Sequence, residues 1–265
     1  MPTSKSDIEL QSYDEIRDDK ITLKSYPSSW SLTSQSPLIS RKRTDSVSSG
    51  PHTTDLLNKR DTKGRTQLYV AAKNGDVTEA SRLLKAGADP NIADPYGVTA
   101  LHEAVERSLL DIVELLIRQG SNINAKTILG QTPLMRAVLY DDTDIIKILL
   151  KAGANIDDFD CTGKTALLVG LQENRKHACS LLIRDGCDVN VYDRLGHTAM
   201  YYALRSLKEP NLTMARKLMK NGYDLKKDGA WLKESERADV ITKHPSVIGK
   251  VCNKLGIRRT QSCKK

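Results

Sequence analysis

Five glycines, Gly64, Gly97, Gly130, Gly163 and Gly196, follow one another at steps of 33 residues. Threonines keep the same step at Thr66, Thr99, Thr132, Thr165 and Thr198, and an apolar residue follows each of them two positions later: Leu68, Leu101, Leu134, Leu167 and Met200. A second glycine row runs Gly87, Gly120, Gly153 and Gly186, then slips to Gly222. With glycine at about 7% of residues, four further glycines at a fixed step arise by chance about 2 times in 100,000. A period of this length marks a chain built by stacking one small supersecondary unit. The composition agrees. The hydrophobic fraction is 39% and only one residue is Phe, which suits a thin, elongated core better than a thick globule.

The residues within one period predict its local structure. Threonine placed before an apolar-periodic run caps a helix by accepting an orphan backbone N–H. Pro133 then falls at the first helical position, where its missing N–H costs nothing. Ala71, Ala104, Ala137, Gly170 and Ala203 are small enough for helices of adjacent units to approach closely. A second helix follows with 3.6-residue spacing, as in Ile112, Val113, Leu115 and Leu116, and again in Ile145, Ile146, Ile148, Leu149 and Leu150. The glycine after it takes the left-handed conformation that ends a helix. One unit cannot bury its own apolar face, so the units must share a continuous core and cap its ends. Two departures mark expected weak points. Gly170 replaces alanine inside a helix, at a cost of ~1 kcal/mol. The fifth unit carries three extra residues, with Lys208-Glu209-Pro210-Asn211 the expected site of a lengthened turn.

At Thr99-Ala100-Leu101-His102, Thr132-Pro133-Leu134-Met135, Gly87-Ala88-Asp89-Pro90-Asn91 and Gly186-Cys187-Asp188-Val189-Asn190 the chain resembles the ankyrin-repeat family. That family's pattern reads D-x-x-G-x-T-P-L-H-x-A-A, then a second helix, then G-A-D-V-N. The resemblance implies an all-α solenoid of helix-turn-helix units joined by short β-hairpins. Residues 56–227 then hold five repeats, at about 61–93, 94–126, 127–159, 160–192 and 193–227. Residues 228–265, with the amphipathic stretch Val247 to Leu255, are expected to form a degenerate capping repeat and a basic tail. Residues 1–55 are expected to be a disordered tail, because Ser31 to Thr54 is too rich in Ser and Thr to bury much surface.

Charge and cysteine usage narrow the setting. The net charge of +8 is concentrated at the C-terminal end, where residues 228–265 carry 9 basic and 4 acidic side chains. We read that end as a solvated tail, and nucleic-acid binding as the less favoured use of it. The five cysteines are scattered with no C-x-x-C spacing, and Met1 to Leu10 has no apolar run followed by small residues. Reduced thiols and a cytoplasmic or nuclear location are therefore expected, with no structural zinc. No apolar run approaches the ~20 residues of a membrane span. Ser46 follows Arg41-Lys42-Arg43 and Ser262 follows Arg258-Arg259. Both are candidate sites for basophilic kinases, since phosphate there would pair with the adjacent arginines.

No catalytic constellation is legible. His102 occupies the family's own histidine position, where the resemblance implies that it hydrogen-bonds the turn. Cys179 and Cys187 read as small core residues, and Asp76, Asp111 and Asp144 as acidic groups matched to the starts of second helices. No phosphate loop or nucleophile elbow is present. No cofactor or metal is expected. The resemblance implies instead that a partner meets the hairpin tips and the exposed face of the first helices. By register those positions are polar in the first repeat, at Thr62, Lys63, Arg65, Lys73 and Asn74. They are largely polar in the last, at Arg194, His197, Arg205 and Ser206. The middle is apolar: Tyr96, Ile128, Leu129, Leu139 and Tyr140, joined by Phe159 and Tyr192 just before two repeats and by Leu195 in the last hairpin. Apolar residues at solvent-facing registers suggest a docking patch. The chain is thus expected to be a monomeric, non-catalytic adaptor binding one protein partner. The alternatives are a substrate-recruiting subunit of a ubiquitin ligase and an inhibitor of a transcription factor like the IκB proteins.

Overall fold

Each threonine of the 33-residue row ends an extended segment and opens a helix. Thr66, Thr99 and Thr132 have extended backbones, with ψ of 165°, 169° and 162°, and their hydroxyls accept from the N–H groups of Tyr69, His102 and Met135. Thr198 accepts from the Tyr201 N–H at 3.2 Å. Thr165 breaks the expected pattern. Its hydroxyl is buried with no hydrogen-bond partner, although its backbone has the same conformation.

The computed structural model describes residues 53–204 and 211–224, all within one unit, Ser49–Lys265. The chain opens with a short helix, α1 (Thr53–Leu57), and continues as helix pairs. These are α2 (Gln67–Asn74) with α3 (Val77–Lys85), α4 (Ala100–Glu106) with α5 (Leu110–Arg118), and α6 (Pro133–Leu139) with α7 (Thr143–Lys151). Then come α8 (Ala166–Gln172) with α9 (Lys176–Arg184), and α10 (Ala199–Leu204) with α11 (Leu212–Lys220). Helix α1 takes in Thr53, Thr54 and Asp55, which the sequence reading gave to the tail. Residues 1–52, 205–210 and 225–265 lie outside the described residues, and with them the rest of the tail, the capping repeat, Arg205, Ser206, Ser46 and Ser262. Asn211 donates its backbone N–H to Ala203, as Arg175 does to Gly170, so the three extra residues of the fifth repeat fall between Ala203 and Asn211.

The core is one leaf thick and continuous. Leu83, Leu116, Leu149, Leu182 and Leu218 are each fully buried, one per second helix, beside Leu68, Leu101, Leu134, Leu167 and Met200 from the first helices. Burying such a side chain stabilises by about 1.5–3 kcal/mol, but only where the next repeat covers it. At Gly170 the expected weak point is corrected. A Cβ there would lie 2.7 Å from Cys179 Sγ and 2.8 Å from Val138 Cγ1, so the glycine makes room for its neighbours.

The connecting hairpins are turns without ladders. Among the described residues the only β pairing is two isolated antiparallel bridges, Phe159 with Thr165 and Tyr192 with Thr198. Each turn is closed by its base residue: Asp61, Asp94, Thr127, Asp160 or Asp193 donates its N–H to the carbonyl four residues on. The four aspartates also accept N–H groups from within the turn, as Asp94 Oδ1 does from Tyr96 and Val98. These bonds use groups that a longer ladder would need. His102 anchors the third turn to the second. Its Nδ1 faces the Thr99 N–H at 3.2 Å, which makes it the acceptor, and its Nε2 lies 3.2 Å from the Gln131 carbonyl, to which it donates. The ring is fully buried, and burial first, then the Arg136 charge, push its pKa down to about 4.

Neighbouring hairpins are joined edge to edge by single backbone bonds. Ile128 donates to the Tyr96 carbonyl, Cys161 to Leu129 and Arg194 to Thr162. The same register between the first and second hairpins holds Pro95, which has no N–H to give. There the Arg60 guanidinium spans the seam instead, donating to the Gly64 and Ala93 carbonyls. A parallel ladder runs through the loops after the second helices. Asn58, Asn91, Asn124 and Asn190 each accept, through Oδ1, a backbone N–H of the following repeat. Asp157 does the same for Asp188, but having no amide it cannot donate back as Asn91 does to the Gly120 carbonyl.

Three outcomes are expected from these contacts. Arg60→Met removes the side-chain bridge that stands in for the missing backbone bond at the proline seam, and because Arg60 is exposed the loss should be about 1 kcal/mol. A urea midpoint lowered at unchanged slope would show it. Gly170→Ala should not bring the ~1 kcal/mol that helix propensity promises, since overpacking against Cys179 and Val138 costs about 1–3 kcal/mol. A measured gain in stability would refute that account. For His102, the folded pKa of about 4 lies below the unfolded value of about 6.5, so neutral His102 supports the fold above pH 6.5. That support is lost as pH falls from 6.5 towards 4, by at most about 3 kcal/mol. Stability measured across that window should fall more steeply for the native chain than for His102→Gln.

Candidate functional site

The candidate docking residues lie on the hairpin tips and at the ends of the first helices. Each tip is two residues and a glycine, held between the base residue and the returning strand. Because the base aspartates turn their carboxylates onto backbone N–H groups, the tips project little beyond their own side chains. These are Thr62-Lys63, Pro95-Tyr96, Ile128-Leu129, Cys161-Thr162 and Arg194-Leu195. The third tip shows why the glycine is required: Gly130 has φ +74°, and a Cβ there would lie 3.0 Å from the Asp160 Cα and the Cys161 N.

Seven of the eight candidate docking residues are exposed: Tyr96, Ile128, Leu129, Tyr140, Phe159, Tyr192 and Leu195. The eighth, Leu139, is half-buried at the end of α6, beside the core residue Val138. Tyr96 and Ile128 are held together by the backbone bond between their hairpins. Tyr140 is the C-terminal cap residue of α6. Phe159 and Tyr192 begin the two bridged hairpins, so bracing and exposure occur in the same residues. The Phe159 ring also carries Lys126 Nζ at 5.4 Å from its centre, with Lys126 bonded to Asp158 at 2.9 Å. Leu195 is 76% exposed, more than any other apolar side chain of the row. The exposed apolar side chains therefore run from the second hairpin to the last.

The fifth repeat adds a cluster that the sequence pattern did not single out. Asp193 is buried and accepts from the Leu195 and His197 N–H groups, from the Tyr202 hydroxyl at 2.7 Å and from His197 Nδ1 at 3.2 Å. Burial pushes its carboxyl up, but the hydrogen bonds from Tyr202 and His197 outweigh that and hold it below the usual carboxylate range. Burial and the bond to Asp193 push the Tyr202 hydroxyl up, keeping it protonated. His197 stacks on Tyr201 at 4.0 Å, and Lys164 Nζ lies 5.5 Å from the centre of the Tyr202 ring. The adjacent tyrosines were the available signal, since Tyr202 stands where the other repeats have Val70, Glu103, Arg136 and Val169.

Nucleophilic chemistry finds little here. Burial pushes the Cys187 thiol up to about 12 and raises Cys179 as well, so both stay protonated and fill space, as the sequence reading held. Asp76 caps α3, accepting from Glu79, while Asp111 and Asp144 lie in first helical turns. The true cap of α7 is Asp142, which sequence reasoning passed over. Asp141, at φ +58°, accepts the Ala178 N–H and His177 Nδ1 of the next repeat, serving α9, whose own first residues supply no cap. Among the described residues no group of three or more His, Cys, Asp or Glu is placed to hold a metal ion, and no helix is long and apolar enough to cross a membrane.

A family model for ankyrin repeats, of three copies, matches the chain in overlapping stretches at residues 47–127, 68–160, 109–193 and 134–228. No curated protein matches it. The match begins ahead of Asn58, the first rung of the asparagine ladder, and ends past α11, so it takes in every described element. With the repeat register, the paired helices and the hairpin turns all in agreement, the chain belongs to the ankyrin-repeat family, whose repeats are protein–protein interaction modules.

Proposed function

We propose that the chain is a non-catalytic adaptor that docks one protein partner along its hairpin tips and the adjoining ends of the first helices. The observation that carries this reading is the strip of exposed apolar side chains from Tyr96 to Leu195, set on turns held by backbone bonds to one another. A surface that is rigid before binding loses little freedom when a partner arrives. Tyrosine and other large side chains supply contact area at low entropic cost, and four of the strip's residues are aromatic. The thiols of Cys161, Cys179 and Cys187 are unpaired, which supports a reducing setting, cytoplasmic or nuclear. Phosphate at Ser46 or Ser262, each beside arginines, would then tune the interaction.

The test separates docking from packing. Leu129→Ala, Tyr140→Ala and Phe159→Ala should each change stability by no more than ~0.5 kcal/mol, as surface substitutions do. Each should weaken partner binding by ~2 kcal/mol, about thirtyfold, at a true hot spot. Thermal unfolding and affinity are measured on the same samples, with the partner captured by residues 53–265 and then purified. Variants that melt early yet bind normally per folded molecule would make these residues core and not docking anchors.

A further inference from the structure

The second helices change in charge along the stack. α3, α5 and α7 each hold an acidic residue in the first turn, Glu79, Asp111 and Asp144, where it matches the positive end of the helix dipole. α9 and α11 contain no carboxylate and no Phe, Tyr or Trp. α9 opens instead with Arg175 at the cap position and Lys176 at the first helical position, and no side-chain bond caps it from within. These two cations oppose the dipole, so helix formation gives no reason for them. Lys176, Ser180 and Arg184 share one face of α9 at four-residue steps, and Leu212, Arg216 and Lys220 hold the same register on α11. Lys217 Nζ ties the two helices together by donating to Ser180 at 2.6 Å. Lys176, Arg184, Arg216 and Lys220 are all exposed, and among the described residues only Arg184 of the four has an ion pair, with Asp185 at 2.9 Å. Two other carboxylates close to α9 are engaged: Asp141 accepts from Ala178 and His177, and Glu173 from Gln172. Beyond α11 the sequence stays basic, with 9 basic and 4 acidic residues over 228–265.

We propose that the outer face of α9 and α11 is a second docking surface, separate from the apolar strip, for a short acidic segment of a protein partner. The eight-residue step from Lys176 to Arg184 rises about 12 Å, and packed helices lie about 8–10 Å apart. A segment with three or four carboxylates over that length matches the four cations. A nucleic-acid duplex fits less well. It carries one charge per ~1.7 Å and continues along the row, where Glu79, Asp111, Glu114 and Asp144 stand on the neighbouring second helices. Single strands use aromatic platforms, which α9 and α11 lack. Exposed charges of this kind chiefly set specificity and association rate, so the contact is fast and sensitive to salt.

The probe is a fluorescein-labelled peptide of six Glu-Ala repeats, titrated with the full chain at low salt and read by anisotropy. The pair Lys176→Glu with Arg216→Glu should weaken binding about tenfold. A carboxylate at the start of α9 agrees with the helix dipole, so the melting temperature should hold or rise. The pair Lys85→Glu with Arg118→Glu makes the same change of net charge on the first two repeats and should leave binding within about twofold. The gentler pair Lys176→Gln with Arg216→Gln, expected to weaken binding about threefold, decides the matter if the reversed pair does not fold. Equal losses on the two sides of the stack would reduce the effect to overall charge and overturn the proposal. A peptide that the native chain does not bind would overturn it too, as would one released by Leu129→Ala, which would place it on the strip. A 20-base-pair RNA duplex or phosphatidylserine vesicles that bind more tightly than the peptide, and are lost in the same pair, would assign the face to phosphate and overturn it. The docking reading of the strip stands or falls separately, on its own variants.

Discussion

The molecule depends on side chains that complete the hydrogen bonding of loops which have no sheet to complete it for them. Nearly half of each repeat is turn and connection, and its N–H and C=O groups cannot be left unpaired where repeats meet. Aspartate at the base of a hairpin answers this within the repeat, and asparagine after the second helix answers it across the seam, with Asn124 accepting from Asn155 and donating towards Gly153. Each seam adds a side-chain link of its own. The Tyr69 hydroxyl and Arg107 converge on Glu103, which is 1% exposed, between the first and second repeats. Glu106 pairs with Arg136 at the next seam, Asp141 reaches the Ala178 N–H at the third, and Lys217 donates to Ser180 at the fourth. Leucine burial drives the stacking, and these polar links fix its register.

That division of labour frees the tips. The aspartates and glycines fix the backbone of the turn, so the two tip side chains are less constrained, although Thr162 still donates its hydroxyl to Asp160. Selection can then place Ile128 and Leu129 in one hairpin and Cys161 and Thr162 in the next without altering the turn. Apolar residues tolerated there are informative, because packing does not ask for them. Phe159 and Tyr192 are less so, since each also begins a bridged pair with Thr165 or Thr198.

The architecture could be read from the sequence because the 33-residue step superposes five copies of one local solution, and glycine, threonine and leucine each have a single physical reason to recur. What could not be read depends on contacts between copies. Gly170 looks like a lapse in a helix until Cys179 and Val138 are seen beside it. Pro95 looks harmless in a turn, and only the neighbouring hairpins show that its register must donate. Thr165 satisfies every sequence rule for a cap, yet its hydroxyl makes no bond, so the row predicts the backbone better than the capping hydrogen bond. At the candidate site, register alone found the seven exposed residues. It placed Leu139 on the surface although that residue is half-buried, because one turn of helix decides between face and core, and it did not single out the Tyr201–His197 stack of the last repeat.

The length of the strip has a consequence for how affinity is distributed. A strip confined to the third repeat would concentrate binding on one hairpin, and the neighbours would serve as a polar seal. A strip running across four hairpins spreads contact over units that are each joined to the next by one backbone bond and a few side-chain links. Small changes of angle at any seam then add along the row, so the fit to a long segment depends on seams far from any given anchor. The proline seam lies just outside the second hairpin, at the edge of the apolar strip, and there Arg60 replaces the missing backbone bond between the hairpins. The weakest backbone joint thus falls where an error in angle shifts only the first tip and its lysine, while the bonded hairpins that carry Ile128, Leu129 and Leu195 keep their common frame.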